Sequence, residues 1–363
     1  MNKLEKYILL AGRLFLYIVC VALVVWIVPW AYHFATDDSD KTPFTLYSSL
    51  VGDFAQMQNT TSGMRYTDCS GNVYTEAQFD SILPAFYYRQ LMSDGRLPDS
   101  LCGVAVNPKV IQMHNFNFRT SPSDVNRTQI ALYPLLESMS GRVDLQMPTD
   151  VFRITPDGIE FVDMASNTVN RAKSDLFTLM MQKKDFRFPA RLVAGNGTNR
   201  KEYDNGYLLV DADGKLFNLK MQRGRPYVRT IALPDSVEVK HLFVTEFRDR
   251  RSLAFVVDAQ KRLWMLEAGN YAWQRIGIPA FDPTCESLTI IGNLCDWTLC
   301  VTSLDKKCYY AVSADNLQHI KTLEMPPEEP TLAQKIGQWL LPVQLRFQSP
   351  LDRDVRPRVA VLE

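Results

Sequence analysis

The seven cysteines offer the most chemistry in this 363-residue sequence. Cys20 falls in an apolar run near the N-terminus, and Cys69, Cys102, Cys285, Cys295, Cys300 and Cys308 lie beyond it. An even number outside the run suits disulfides in an oxidising compartment. Cys69 with Cys102 is one pairing, and the four late cysteines allow three arrangements among themselves. A structural metal is the sharper alternative, but the late spacing has no C-x₂-C and no neighbouring His. No metal or other cofactor is expected.

The four histidines, His33, His114, His241 and His319, make no H-E-x-x-H or other ligand spacing. No phosphate-cradling G-x-x-x-x-G-K-[ST] occurs, and Gly195-Asn-Gly-Thr198 reads as a loop. No G-x-S-x-G elbow is present for a hydrolase nucleophile. Asp211-Ala-Asp-Gly214 resembles the start of a calcium loop but lacks the distal ligands, and reads as a turn. The stretch His114–Asn126 is rich in hydrogen-bonding groups around two aromatics, with Arg119 as a contact for an anion or a partner. Its simpler reading is a strand with Phe116 and Phe118 alternating inward, followed by a Ser-Pro turn. These absences favour a binding or accessory role over an enzyme. A net charge of zero, with 40 basic and 40 acidic residues, gives no nucleic-acid footprint.

From Leu14 to Thr36 there is no Asp, Glu, Lys or Arg. About 20 such residues cover the ~30 Å hydrocarbon core of a bilayer. Trp26, Trp30 and Tyr32 gather at one end, where amphipathic rings favour the interface. Lys3, Lys6 and Arg13 precede the run and Asp37, Asp38 and Asp40 follow it, so the basic side is expected in the cytoplasm. The run is too long for a cleaved signal peptide and ends without an A-x-A site.

A turn motif recurs beyond the run. Asp68-Cys-Ser-Gly-Asn-Val-Tyr74, Thr155-Pro-Asp-Gly-Ile-Glu-Phe161, Asp211-Ala-Asp-Gly-Lys-Leu-Phe217, Asp258-Ala-Gln-Lys-Arg-Leu-Trp264 and Ser303-Leu-Asp-Lys-Lys-Cys-Tyr309 each open a polar turn into a strand carrying an aromatic. Apolar runs such as Leu253–Val257 precede the turns, which predicts hairpins. A spacing of roughly 40–50 residues suggests propeller blades. The predicted fold is mainly β and propeller-like, with two inserted helices and one N-terminal transmembrane helix. The first inserted helix starts at the capping box of Thr75 and Gln78 and is kinked or split by Pro84. The second runs from Val169 to Lys183, with Ala172, Leu176, Leu179 and Met180 inward. After a stiff Pro326–Pro330 spacer, Leu332, Ile336, Trp339, Leu340 and Leu341 make a short amphipathic segment, expected to pack on its own domain rather than on a membrane or partner.

The strings Leu83-Pro-Ala-Phe-Tyr-Tyr-Arg-Gln-Leu91, Gly95-Arg-Leu-Pro-Asp-Ser100, Asn115-Phe-Asn-Phe-Arg119 and Leu216-Phe-Asn-Leu-Lys-Met221 resemble an uncharacterised family of single-span, extracytoplasmic proteins from Gram-negative anaerobes. The resemblance covers nearly the whole chain. It implies a domain of unknown function, often encoded beside ABC-transporter ATPase and permease subunits, and carries over no catalytic or binding residue.

The expected division is a cytoplasmic stub and anchor at 1–35, a linker at 36–64, a propeller-like domain at 65–325 and a spacer with an amphipathic tail at 326–363. Residues 8–34 meet the lipid of an inner membrane, with the N-terminus cytoplasmic and the C-terminal domain periplasmic. The expected function is that of an accessory protein of an envelope complex, an ABC-type transporter first, acting by protein contacts that include Arg119 and Trp339. A ligand-binding or sensory domain, and an envelope hydrolase or lyase with an unrecognised site, are the alternatives.

Overall fold

A computed structural model describes residues 3–36, 42–60, 63–128, 130–326 and 330–361. Asp37, Asp38 and Asp40 after the apolar run, and Pro327, Glu328 and Glu329 of the spacer, lie outside the described residues.

Helix α1 spans Lys3–Thr36. Strands β1 (Phe44–Ser48), β2 (Asp53–Thr60), β3 (Gly63–Asp68) and β4 (Val73–Tyr74) form the first sheet. Next come helices α2 (Glu76–Ile82) and α3 (Tyr88–Ser93), the small hairpin β5 (Ser100–Leu101) and β6 (Val104–Ala105), helix α4 (Pro108–His114), strand β7 (Phe116–Thr120) and helix α5 (Pro122–Val125). The second sheet holds β8 (Asp150–Ile154), β9 (Ile159–Asp163) and β10 (Thr168–Val169), and helix α6 (Arg171–Gln182) follows it. The third holds β11 (Leu192–Gly195), β12 (Tyr207–Val210), β13 (Leu216–Gln222) and β14 (Arg225–Ile231). The fourth holds β15 (Val239–Val244), β16 (Ser252–Asp258), β17 (Leu263–Glu267) and β18 (Trp273–Arg275). The fifth holds β19 (Ser287–Gly292), β20 (Asp296–Thr302), β21 (Lys307–Ser313) and β22 (His319–Met325), with β7 added beside β19. Helix α7 (Leu332–Leu340) and the hairpin β23 (Val343–Arg346) and β24 (Arg358–Val361) end the chain.

Each recurrent turn motif sits in a hairpin of one of the five sheets, and one mechanism explains all of them. At Asp68, Asp211 and Asp258 the carboxylate is buried and folds back over the turn. Asp211 Oδ1 accepts from the Asp213 and Lys215 amides at 2.9 and 2.8 Å, and Asp258 Oδ1 accepts from Gln260 and Arg262 at 2.9 Å each. Three residues after each Asp the backbone is left-handed, at Gly71, Gly214 and Lys261. That is the three-residue hairpin with a bulge. The departures from Asp follow the same logic: Thr155 Oγ1 accepts from the Gly158 amide and Ser303 Oγ from the Lys306 amide, both at 3.1 Å. The aromatics after the turns serve in two ways. Phe161, Phe217 and Tyr309 are buried, whereas Tyr74 and Trp264 are half-buried and donate to the turn carboxylates of Asp68 and Asp258.

The core joins neighbouring sheets by their apolar faces, as in a propeller. One cluster joins the second and third sheets through Phe152, Phe161 and Phe217, with Phe177 and Met181 of α6. Others join the third to the fourth through Leu208, Leu216 and Val256, and the fourth to the fifth through Phe255, Ile290 and Leu299. Tyr47 and Phe54 then join the first sheet to Tyr309 of the fifth. The chain is mainly β, with propeller-like sheets in sequence.

Residues 44–60, expected inside a linker, are instead two paired strands of the first sheet. Their polarity suggested a tether, but their polar groups are satisfied internally. The Tyr47 amide donates to Thr298 Oγ1 at 2.9 Å, and Ser48 Oγ donates to the Ile82 carbonyl at 2.6 Å.

The capping box at Thr75 is present, with the Gln78 amide donating to Thr75 Oγ1 at 3.3 Å and the Thr75 amide to Gln78 Oε1 at 2.9 Å. Pro84 separates α2 from α3, as its ring requires. Replacing Thr75 by Ala is expected to lower stability by about 1 kcal/mol in thermal unfolding. An unchanged melting temperature would contradict that. Helix α6 corresponds to the second predicted helix, but the inward face is corrected. Ser174, Phe177 and Met181 are buried, whereas Leu176 and Leu179 are 43% and 49% exposed and Ala172 is also exposed. The buried set lies about 150° around the helix from the predicted one, although Met180 is partly buried against the core as predicted. On the observed face Ser174 Oγ accepts from the Phe161 amide of β9 at 2.9 Å. Helix α3 is the second piece of the helix split at Pro84, whereas α4 had no sequence reading and α5 stands where a Ser-Pro turn was expected, because one or two turns carry too little periodicity.

The amphipathic segment, expected to pack on its own domain, forms α7 and packs against α1 instead. Tyr32 Oη donates to the Ala333 carbonyl at 2.7 Å, and the Trp26 and Phe347 rings lie 5.0 Å apart edge to face. The chain beyond α7 also reaches the β domain, where Asn126 Nδ2 donates to the Leu351 carbonyl at 2.7 Å and Arg353 pairs with Asp124.

Candidate functional site

Two features stand out: a cleft in the β domain and a bare apolar face beside α1. The cleft lies between β1, the Leu83–Phe86 loop and the β19–β20 hairpin, with a volume of about 370 Å³. That falls at the small end of ligand pockets, which run from about 300 to 1,000 Å³. Leu46, Leu83, Ala85, Leu101 and Ile291 supply an apolar wall. A second depression of about 300 Å³ meets it at Asn115–Asn117 and carries Arg89, Glu246 and Arg248.

The Pro84 break positions the loop wall, and the β19–β20 turn positions the polar floor. Asn293 Oδ1 accepts from the Cys295 amide at 2.7 Å and the Asp296 amide at 3.1 Å, which sets the turn. Asp296 is 2% exposed and accepts from Asn293 Nδ2 at 3.1 Å, with Ser49 also donating to it. Burial pushes its carboxyl up to about 6, against the pull of those hydrogen bonds. Asn115 Nδ2 donates to the Ala85 carbonyl at 2.6 Å, while its buried Oδ1 has no donor among the described residues. A disulfide between Cys102 and Cys295 ties the β5–β6 hairpin to this floor.

That disulfide corrects the Cys69–Cys102 pairing. Cys69 stands by Asp53 and Lys321 with burial raising its thiol, and Cys285 sits exposed beside Asp282. Cys300 faces Tyr309 across the ladder and Cys308 faces Val301, so strand alternation puts the two thiols on opposite faces of the sheet. Among the described residues no group of His, Cys, Asp and Glu is placed to hold a metal. Arg119 is exposed on β7 opposite Thr289, with Phe116 and Phe118 partly buried on the other face. Trp339 is 80% exposed on α7, the helix that packs on α1, whereas Arg119 is exposed on β7, and no contact between the two is found among the described residues.

The apolar face is made by α7. Its capping box of Thr331 and Gln334 starts the helix, and Gly337 is its buried residue, in contact with Tyr32 of α1. Leu332, Ile336, Trp339 and Leu340 are all more than half exposed. Their spacing puts them on one face. Helix α1 is the described helix long and apolar enough to cross a membrane, over Lys6–Thr36.

Sequence reasoning missed Asp296 and Asn115, which both line the cleft, and a buried cation cluster. Lys201 Nζ meets Asp204 Oδ1 at 2.6 Å and Glu246 Oε1 at 2.7 Å, with side chains 2–4% exposed. Charged residues in loops read as solvated, and nothing local marks these as buried.

The profile of the domain of unknown function DUF4857 matches residues 44–312. The chain belongs to the DUF4857 family. The match starts at β1, so the first sheet lies inside the family domain. No functionally curated protein matches the chain. Among solved structures, it is similar to dihydro-heme d1 dehydrogenase NirN in complex with DHE, at 13% identity and TM-score 0.25, over 69% of this chain and 65% of that one. It is also similar to the Dos1 propeller, at 10% identity and TM-score 0.29, over 79% and 62%. The WD40 domain of SCAP from fission yeast matches at 7% identity and TM-score 0.27, over 81% and 57%. The chain thus spans less than two thirds of the length of each of these three.

Proposed function

We propose that this DUF4857 protein is a membrane-anchored interaction module: α1 crosses the inner membrane from the cytoplasm, the β domain stands in the periplasm, and α7 docks on an integral-membrane partner. The observation that carries the reading is the placement of α7. One side of it rests on α1 through Ala333 and Gly337, and the other bares Leu332, Ile336, Trp339 and Leu340. A contiguous apolar face next to a helix of spanning length suits a partner in or at the bilayer better than water. The Cys102–Cys295 disulfide fits an oxidising compartment outside the cytoplasm. The partner proposed is an ABC-type transporter, on the strength of the family resemblance, with Arg119 on the open face of β7 as a second contact. Ligand binding by the cleft is the second reading, favoured by the floor of Asp296 and Asn115.

Affinity purification of the full-length chain from detergent-solubilised native membranes tests the first. Stoichiometric recovery of a permease and its ATPase is expected, and Ile336→Asp with Trp339→Asp is expected to abolish it while carbonate-washed membranes still retain the chain. Recovery of the chain alone, or its release by carbonate, would overturn the reading.

A further inference from the structure

The cleft has a chemistry that the docking reading leaves unused. Its polar floor holds two acceptors of interest, the Asp296 carboxylate and Asn115 Oδ1. Asp296 is almost fully buried and forms no ion pair among the described residues, and the lining contains no Lys, Arg or His. Asn115 Oδ1 is buried without a donor among the described residues. A buried carboxylate held by neutral donors without a counter-charge, and a buried carbonyl without a donor, are both unfavourable. The wall above them is apolar, from Leu46, Ala85 and Ile291.

We propose that this cleft binds a small organic primary ammonium, its N–H groups directed at Asp296 and Asn115 and its apolar body against the Leu46–Ile291 wall. An ammonium carries three donors and no acceptor, which suits the Asp296 carboxylate and the Asn115 carbonyl. An organic acid would meet the Asp296 charge in a dry setting, and a neutral alcohol would leave that charge without a counter-ion. With its carboxyl at about 6, Asp296 is mostly ionised at pH 7.5. The Cys102–Cys295 bond fixes the residue next to Asp296 in the chain, so the floor is set before the ligand arrives. The proposal is independent of what α7 contacts.

The test is calorimetric titration of the full-length chain in lipid nanodiscs at pH 7.5, with empty nanodiscs as the blank. The probes are 2-phenylethylamine and n-hexylamine, beside 2-phenylethanol and 3-phenylpropionate. Saturable binding of at least one amine at one site per chain is expected, at least tenfold tighter than the alcohol, with no binding of the acid. Asp296→Asn, which keeps the shape of the floor, is expected to weaken the amine at least tenfold, and Ala85→Trp to block the cleft. Absence of saturable binding by both amines, equal affinity for amine and alcohol, or an Asp296→Asn variant that binds as tightly as the parent would overturn the proposal.

Discussion

Lys201→Met is expected to lower the melting temperature by on the order of 10 °C. The Lys201 ammonium lies between the third and fourth sheets and makes three short contacts, to the Asn196 carbonyl at 2.6 Å, Asp204 Oδ1 at 2.6 Å and Glu246 Oε1 at 2.7 Å. The carboxylates are tied further into the fold: Ser138 Oγ donates to Asp204 Oδ2 at 2.6 Å, and the Asn205 amide donates to Glu246 Oε1 at 2.8 Å. Methionine keeps most of the stem but removes the charge, leaving two carboxylates facing one another in a dry site. Removing one partner of a buried pair costs about 3–5 kcal/mol, because the remaining charge is uncompensated. Adding Asp204→Asn and Glu246→Gln to Lys201→Met is expected to recover much of the loss, since neutral amides no longer need the cation. Thermal unfolding followed by circular dichroism on the full-length chain reads both. A Lys201→Met protein that melts with the parent would show the cluster to be solvated.

Asp296→Asn is expected to act in the opposite direction and to stabilise the protein at neutral pH. The folded carboxyl lies at about 6, above its ordinary 3.8, because it is buried. Between those values the folded state holds a proton that the unfolded chain has released, so stability falls as pH rises through this window. The rise from 3.8 to about 6 corresponds to roughly 3 kcal/mol lost by pH 7, and Asn does not pay it. Tyr47 of β1 is the titratable group that feels the Asp296 charge, with Asp53 and Lys321 paired to each other nearby. Asp53, Asp68, Asp258 and Asp282 are held low by hydrogen bonds or cation partners, so they weaken the fold only as pH falls below the usual carboxylate range. They are common to parent and variant and cancel in the difference. The gap between the two unfolding curves should therefore be small near pH 4 and widest above pH 7. A variant less stable than the parent at pH 8 would mean that the Ser49 and Asn293 hydrogen bonds to the carboxylate outweigh its desolvation.

What the sequence alone determined is local. The apolar run, the Thr75 capping box, the Pro84 break and the five turns are each written within about a dozen residues. Their physics (hydration, φ restriction, a side chain bonding its own turn) needs no distant partner. Even Thr155 and Ser303, which depart from the Asp pattern, keep a side-chain acceptor for the turn amide. The tertiary structure alone decided everything that depends on which surfaces meet. Residues 44–60 looked like a tether because their hydrogen-bond partners, Thr298 and Ile82, lie in other elements. Cys102 found Cys295 rather than Cys69 because the β5–β6 hairpin packs on the β19–β20 turn. Helix α6 turned a different face inward because β9 offers an amide to Ser174. Asp296, Asn115 and Lys201 became a floor and a cluster by burial, which residues far apart in the chain impose together and no local pattern records.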